Sequence, residues 1–197
     1  MSQKIWTWQK TREKILTLRG RLSFPDSSVL KFLRFSLSLE DGSIYDELTD
    51  KMAKDVETSA YCILTGYAEA KSTPETGELI SFEQLPGGRA YYNTFKKRAT
   101  QQIERIFAAK PQMLLKAAEM FDARRLEHGD YSVKFYALPL VPIHVILWSS
   151  DLEFPTSANI LFESSISNYL STEQIAALGE LAAHRLKQAC EAIISKQ

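Results

Sequence analysis

The chain has 197 residues, 24 Lys and Arg against 24 Asp and Glu, with 45% hydrophobic and 24% charged residues. This length suits one domain with a substantial core, and the composition excludes disordered, collagen-like and disulfide-scaffold classes. A net charge of zero supplies no overall field toward nucleic acid or an anionic membrane surface, so neither is expected as a partner.

The start, Met1 to Trp6, lacks the basic stretch, apolar run and small-residue cleavage site of a secretory signal, so a cytoplasmic location is expected. The longest stretch free of Asp, Glu, Lys and Arg, Phe135 to Ser150, is too short for a membrane-spanning helix and is broken by Pro139 and Pro142. In a reducing interior Cys62 and Cys190 are expected as buried free thiols.

In chain order, Ile5, Trp8, Ile15 and Leu16 predict an amphipathic helix over residues 3–18, ended by Gly20. Residues 1–20 either belong to the domain or form an appendage to it. Leu33, Phe35, Leu37 and Leu39 alternate with Arg34, Ser36, Ser38 and Glu40, predicting a strand with one wet face. Asp41-Gly42 turns the chain, and Ser43 to Tyr45 pairs back as a short arm. Leu48, Met52, Val56, Ala60 and Leu64 recur every four residues and predict a second helix from Leu48 to about Ala70.

Thr73 to Gly77 punctuates the chain before a brief segment, Leu79 to Phe82. Pro86-Gly87-Gly88 then opens a third helix with Tyr92, Phe95, Ala99, Ile103 and Ile106 on one side. Pro111 breaks it and suits the first turn of a helix running through Phe121. Tyr131, Val133 and Phe135 alternate as a strand, and Ile143 to Trp148, apolar on both faces, reads as a central strand covered on each side. Ser171 and Gln174 form a capping box with a Leu170–Ile175 staple, followed by the stripe Ile175, Leu178, Ala182, Leu186, Ala189 and Ile193. Without βαβ repetition, the expected fold is α+β: one domain over residues 1–197, a mostly antiparallel sheet with a central buried strand, and four to five helices around it.

No GxGxxG loop, P-loop, GxSxG elbow or CxxCH motif is present, and five Cys and His residues without ligand spacing make no zinc site. No metal ligand and no cofactor are predicted. The most suggestive segment runs from Trp148 to Phe162: it leaves the central strand and immediately presents Ser149, Ser150, Asp151 and Glu153 before Phe154 and Pro155. Polar groups at the end of a buried strand are well placed to meet a ligand, because the sheet fixes their backbone. The plainer reading is a turn in which Asp151 accepts local N–H groups and Phe154 covers the core.

His144 is expected as a buried, hydrogen-bonded core residue, since Ser150 lies six residues further along an extended strand. A trio of His144, Ser150 and Asp151 requires the chain to fold back. His184, with Glu180, Lys187 and Glu191, reads as part of a solvated helix face, and His128-Gly129 as a loop. Lys96, Lys97, Arg98 and Arg105 near Tyr91 and Tyr92 likewise read as a solvated face. Trp6 and Trp8 serve either packing or a partner.

Leu138-Pro139-Leu140-Val141-Pro142, Ile146-Leu147-Trp148, Asp151 to Pro155, Ile160 to Glu163 and Tyr169-Leu170, preceded by Ile80 to Gly88 with Tyr91 or Tyr92 and Phe95, occur in order over about residues 60–190. In these the chain resembles a domain-of-unknown-function family of anaerobic bacteria and archaea. The resemblance implies members found alone or joined to an iron–sulfur-binding domain, often near corrinoid-dependent one-carbon metabolism. It implies a setting more than an activity. The chain departs from the pattern by having no Cys-rich module and by carrying Leu152 where an acidic residue commonly stands between two carboxylates. A DxHxxG sequence is also missing, so corrinoid enters by family context only.

The expected function is a non-catalytic binding or accessory module, with an unknown small molecule or protein partner engaging the rim at Trp148, Asp151, Glu153, Phe154 and Phe162. One alternative is a small hydrolase or transferase with Asp151 or Glu153 as general base, which requires a carboxylate with a raised pKa in a concave pocket. The other is a structural subunit of a complex, which requires exposed Trp6 and Trp8.

Overall fold

The computed structural model describes residues 6–195. Its first helix, α1 (Trp8–Leu16), turns Trp8, Thr11 and Ile15 inward. Ile5 and the start of the predicted helix lie outside the described residues. The Trp8 ring meets Tyr61 of α2 (Glu57–Glu69) with centroids 6.0 Å apart, so α1 packs against the body of the protein. Gly42 lies beneath that indole at φ 80°, where a Cβ would stand 2.3 Å from the ring. Only glycine fits both the turn and the contact.

The first sheet is antiparallel in the order β1 (Val29–Phe32), β2 (Phe35–Ser38), β3 (Ile44–Asp46), β4 (Lys51–Met52). Leu33, Phe35, Leu37 and Leu39 are all buried, as their alternation predicts. They do not form one strand, however. The chain reverses at Leu33 and Arg34, whose φ angles are 47° and 61°, so that Phe32 pairs with Phe35. Positive φ at both central residues is the arrangement that matches strand twist in a two-residue hairpin, usually supplied by Asn-Gly. The arm after Asp41-Gly42 pairs back on β2 as expected.

The predicted helix from Leu48 begins nine residues later, at Glu57. Here a turn outcompetes the helical period: the Asp46 carboxylate accepts the Leu48 N–H and the Thr49 hydroxyl, each at 2.9 Å, and Asp50 takes φ 58°.

The second sheet, also antiparallel, has the order β5 (Leu79–Ser81), β9 (Ser157–Glu163), β8 (Val141–Trp148), β7 (Tyr131–Leu138), β6 (Arg124–Arg125). The predicted central strand is extended, and β8 is buried along its whole length except at Trp148. Ile143 pairs with Phe135 and Phe162. Phe162 meets Phe95, which identifies the helix-facing side. The opposite side carries His144 between Lys134 and Leu161. Residues 71–78 cross it as a strap: Glu75 accepts from Lys134 Nζ at 2.6 Å and Tyr136 OH at 2.5 Å, and Thr73 bonds Tyr169.

Helices α3 (Gly88–Phe95) and α4 (Gln101–Phe107) are joined by a π turn, Lys96–Thr100, into one rod. Phe95, Ala99, Ile103 and Phe107 form its buried stripe, while Tyr92 and Ile106 are only half-buried. Helix α5 (Met113–Glu119) follows Pro111 and stops two residues short of Phe121. Helix α6 (Thr172–Ile194) starts at the predicted capping box, with the Ser171 N–H donating to Gln174 Oε1 at 2.9 Å and the Gln174 N–H to Ser171 Oγ at 3.4 Å. Its predicted stripe is buried from Ile175 through Ala189, with Ile193 half-buried. Side chains from both sheets and all six helices join one core cluster, giving an α+β fold. Cys62 and Cys190 are buried and free. Among the described residues no helix is long and apolar enough to cross a membrane.

Candidate functional site

Strand β8 runs out of the core at Trp148, the residue on it that is 37% exposed. Beyond it, the Asp151 carboxylate accepts the N–H groups of Glu153 at 2.8 Å and Phe154 at 2.7 Å, and the Asp151 N–H donates to the Phe154 carbonyl at 3.0 Å. This is the turn that Asp residues favour through local side-chain bonding. The Phe154 and Glu153 amides hold the Asp151 carboxyl below the usual carboxylate range. Asp130 completes the corner by accepting the Ser149 N–H at 2.7 Å.

These residues surround a recess of about 490 Å³ lined by Asp130, Trp148, Asp151, Phe154 and Pro155 with neighbouring serines. Among the described residues the lining holds two carboxylates and no basic side chain. Phe154 is 66% exposed and does not cover the core, and Leu152 projects fully into solvent. Trp148, Asp151 and Phe154 are thus brought together. Glu153 is exposed on the same loop but does not line the recess. Phe162 is elsewhere: it is wholly buried on the helix-facing side of β9, its ring 6.1 Å from that of Phe95, and it does not reach the corner.

His144 is buried, as expected, but its Nδ1 has no hydrogen-bond partner among the described residues, contrary to expectation. Burial lowers its pKa, with Lys134 adding to the effect, so the imidazole stays neutral. It sits on a regular strand, Ser150 is exposed, and Asp151 is occupied by its own turn, so the His144–Ser150–Asp151 trio is not assembled. His128 is exposed, its N–H donating to Ser132 Oγ at 3.0 Å. His184 is half-buried rather than solvated, which lowers its pKa.

A second cleft, also of about 490 Å³, lies between the start of α6 and the α3 to π-turn rod. Tyr91, Arg98 and Glu180 meet there: Arg98 Nη1 donates to Tyr91 OH at 3.2 Å, Tyr91 OH to Glu180 Oε1 at 3.5 Å, and Arg98 Nη1 stands 3.7 Å from Glu180 Oε2. Burial raises the Glu180 carboxyl, against the lowering effect of Arg98. Sequence reasoning placed these residues on solvated faces. No local signal joins them, because Tyr91 and Glu180 are 89 residues apart. Among the described residues no three His, Cys, Asp or Glu side chains are grouped to hold a metal ion.

No curated protein and no solved structure matches the chain. A family model described as a domain of unknown function matches residues 22–185, so the resemblance read over about residues 60–190 extends back through the first sheet. With most of its length so matched, the chain belongs to that family, DUF3786.

Proposed function

We propose that the chain is a non-catalytic binding module that receives a ligand at the corner after β8. One observation carries the reading: Trp148 and Phe154 are exposed together around a recess whose carboxylates, Asp130 and Asp151, face no basic lining residue among the described residues. Apolar surface beside fixed negative charge favours a cation with an apolar body, held by ion pairing and by attraction to the aromatic faces. An accessory role in the cytoplasm, in the anaerobic one-carbon setting suggested by the resemblance, accords with a site that binds without a catalytic group. Corrinoid belongs to that setting and has no assigned residues here.

The enzymatic alternative draws less support. A general base needs a raised pKa, whereas Asp151, although it lines the recess, is pulled down by two amide donors. The subunit alternative needs exposed tryptophans, whereas Trp8 is buried against Tyr61 and Trp6 packs on the core.

The test is a fluorescence titration of the full chain with phenethylammonium, using the uncharged 2-phenylethanol as control. Saturable quenching by the cation alone, lost in Trp148→Phe and weakened in Asp151→Asn and Phe154→Ala, supports the proposal. Equal responses to both compounds, or no saturable response, overturns it.

A further inference from the structure

The second cleft has a different chemistry from the corner. Its floor is apolar: Phe82, 1% exposed, stacks on Phe95 with centroids 4.2 Å apart and planes 11° from parallel, and Ala176 and Ala177 of α6 line the wall beside it. Its mouth is polar. The Glu180 side chain is only 26% exposed, yet its closest hydrogen-bonding contact among the described residues is the 3.5 Å approach of Tyr91 OH. A carboxylate so placed keeps acceptor sites open to a donor that enters the cleft. Arg98 gives one N–H to Tyr91 and keeps the rest of its planar fork. It projects from the π turn, a distortion that recurs at functional sites.

Charge decides which ligand fits. A phosphate or simple carboxylate suits Arg98 but meets Glu180, and an ammonium suits Glu180 but meets Arg98. A zwitterion satisfies both only after shedding two hydration shells. A neutral group with a donor beside an acceptor matches the pair at the lowest desolvation cost. The enclosed volume of about 490 Å³ lies within the range of small-ligand sites.

We propose that this cleft is a separate binding site for a planar heterocycle with a lactam edge, of nucleobase or nucleoside size. The ring N–H donates to the Glu180 carboxylate, the adjacent carbonyl accepts from Arg98, and the ring lies over Phe82, Ala176 and Ala177. Tyr91 orients the other two groups through its hydroxyl.

Calorimetric titration of the full chain with uridine and inosine, against 3-methyluridine and 1-methylinosine, tests the assignment. Each methylated compound keeps the ring but lacks the donor. At least one parent compound is expected to bind saturably, with methylation weakening it roughly tenfold or more, the scale of one good hydrogen bond. Arg98→Met and Glu180→Gln weaken binding similarly, and Ala177→Phe, which fills the cleft while keeping its polar groups, removes it. Thermal melts identify the variants that remain folded. Equal affinity for parent and methylated compounds, undiminished binding by a folded Ala177→Phe variant, or saturable binding of phenylalanine with none of either nucleoside overturns the proposal.

Discussion

Arg185 and Asp46 form an ion pair at 2.7 Å inside the protein, the arginine 0% and the aspartate 4% exposed. The guanidinium does more than neutralise the carboxylate. Its Nε donates to the Leu33 carbonyl at 2.9 Å and its Nη2 to the Arg34 carbonyl at 3.2 Å, and it lies 3.9 Å over the Phe35 ring. Burial would raise the Asp46 carboxyl, but bonds from Arg185, Leu48 and Thr49 outweigh it and hold the group ionised. A helix side chain thereby clamps the left-handed hairpin turn of the first sheet.

Removing one partner leaves the other charged and buried, at a cost of about 3–5 kcal/mol. Asp46→Ala and Arg185→Met are each expected to lose about that much in urea denaturation. The double variant is expected to lose much less than their sum. Full additivity in the cycle would show that the pair is not coupled.

The hairpin turn itself is strained. Arg34 is exposed at φ 61°, and its 3.5 Å approach to Glu47 is a surface contact of small worth. Arg34→Gly is expected to stabilise the protein by roughly 0.5–1 kcal/mol, because glycine takes this conformation without steric cost. Leu33 must stay apolar, being 4% exposed. A lowered urea midpoint for Arg34→Gly would contradict the account.

Glu163 closes the strap onto β9. Its carboxylate accepts from the Thr76 hydroxyl at 2.6 Å, Gly77 N–H at 2.8 Å and Ser165 N–H at 2.8 Å, with the Thr76 N–H and Ser165 hydroxyl as further donors. Burial would raise its pKa, but these bonds outweigh it and bring the group down to about 2 from an ordinary 4.5. A depressed folded-state pKa stabilises above the unfolded value and ceases to do so as pH falls through the folded one. Stability is therefore expected to drop by roughly 2–3 kcal/mol between about pH 5 and pH 2. Glu163→Gln is expected to be less stable at pH 7 and to show a shallower acid limb. An unchanged limb would remove Glu163 as its cause.

Gly179 lets α6 approach the α3 rod. A Cβ there would lie 2.7 Å from Phe95 Cε2 and 3.3 Å from Phe162 Cζ, so the buried rings must shift to admit it. Gly179→Ala is expected to cost about 1–3 kcal/mol despite alanine's better helix propensity. A rise in melting temperature would mean that the rings move freely.

What the sequence disclosed was local. The α6 capping box lies within four residues, and β8 is a continuous apolar run, so each could be read without knowing the rest of the fold. The corner was legible for the same reason, since polar and aromatic residues directly follow that run. Phe162 was misplaced because β9 was not recognised as a strand, although Ala158, Ile160 and Phe162 show its buried alternation. The Leu33–Arg34 reversal was illegible because the group that fastens it is 152 residues away in the chain. The meeting of Tyr91, Arg98 and Glu180 depends equally on distant packing.

The clamp from α6 also orders the birth of the molecule. The first sheet leaves the ribosome well before Arg185 exists, so until α6 emerges Asp46 has no buried counter-ion and the adjoining turn has no fastener. Translation can thus lay down the hairpin early but complete this part of the tertiary structure only once α6 has been made, leaving the nascent chain dependent on shielding from aggregation until then.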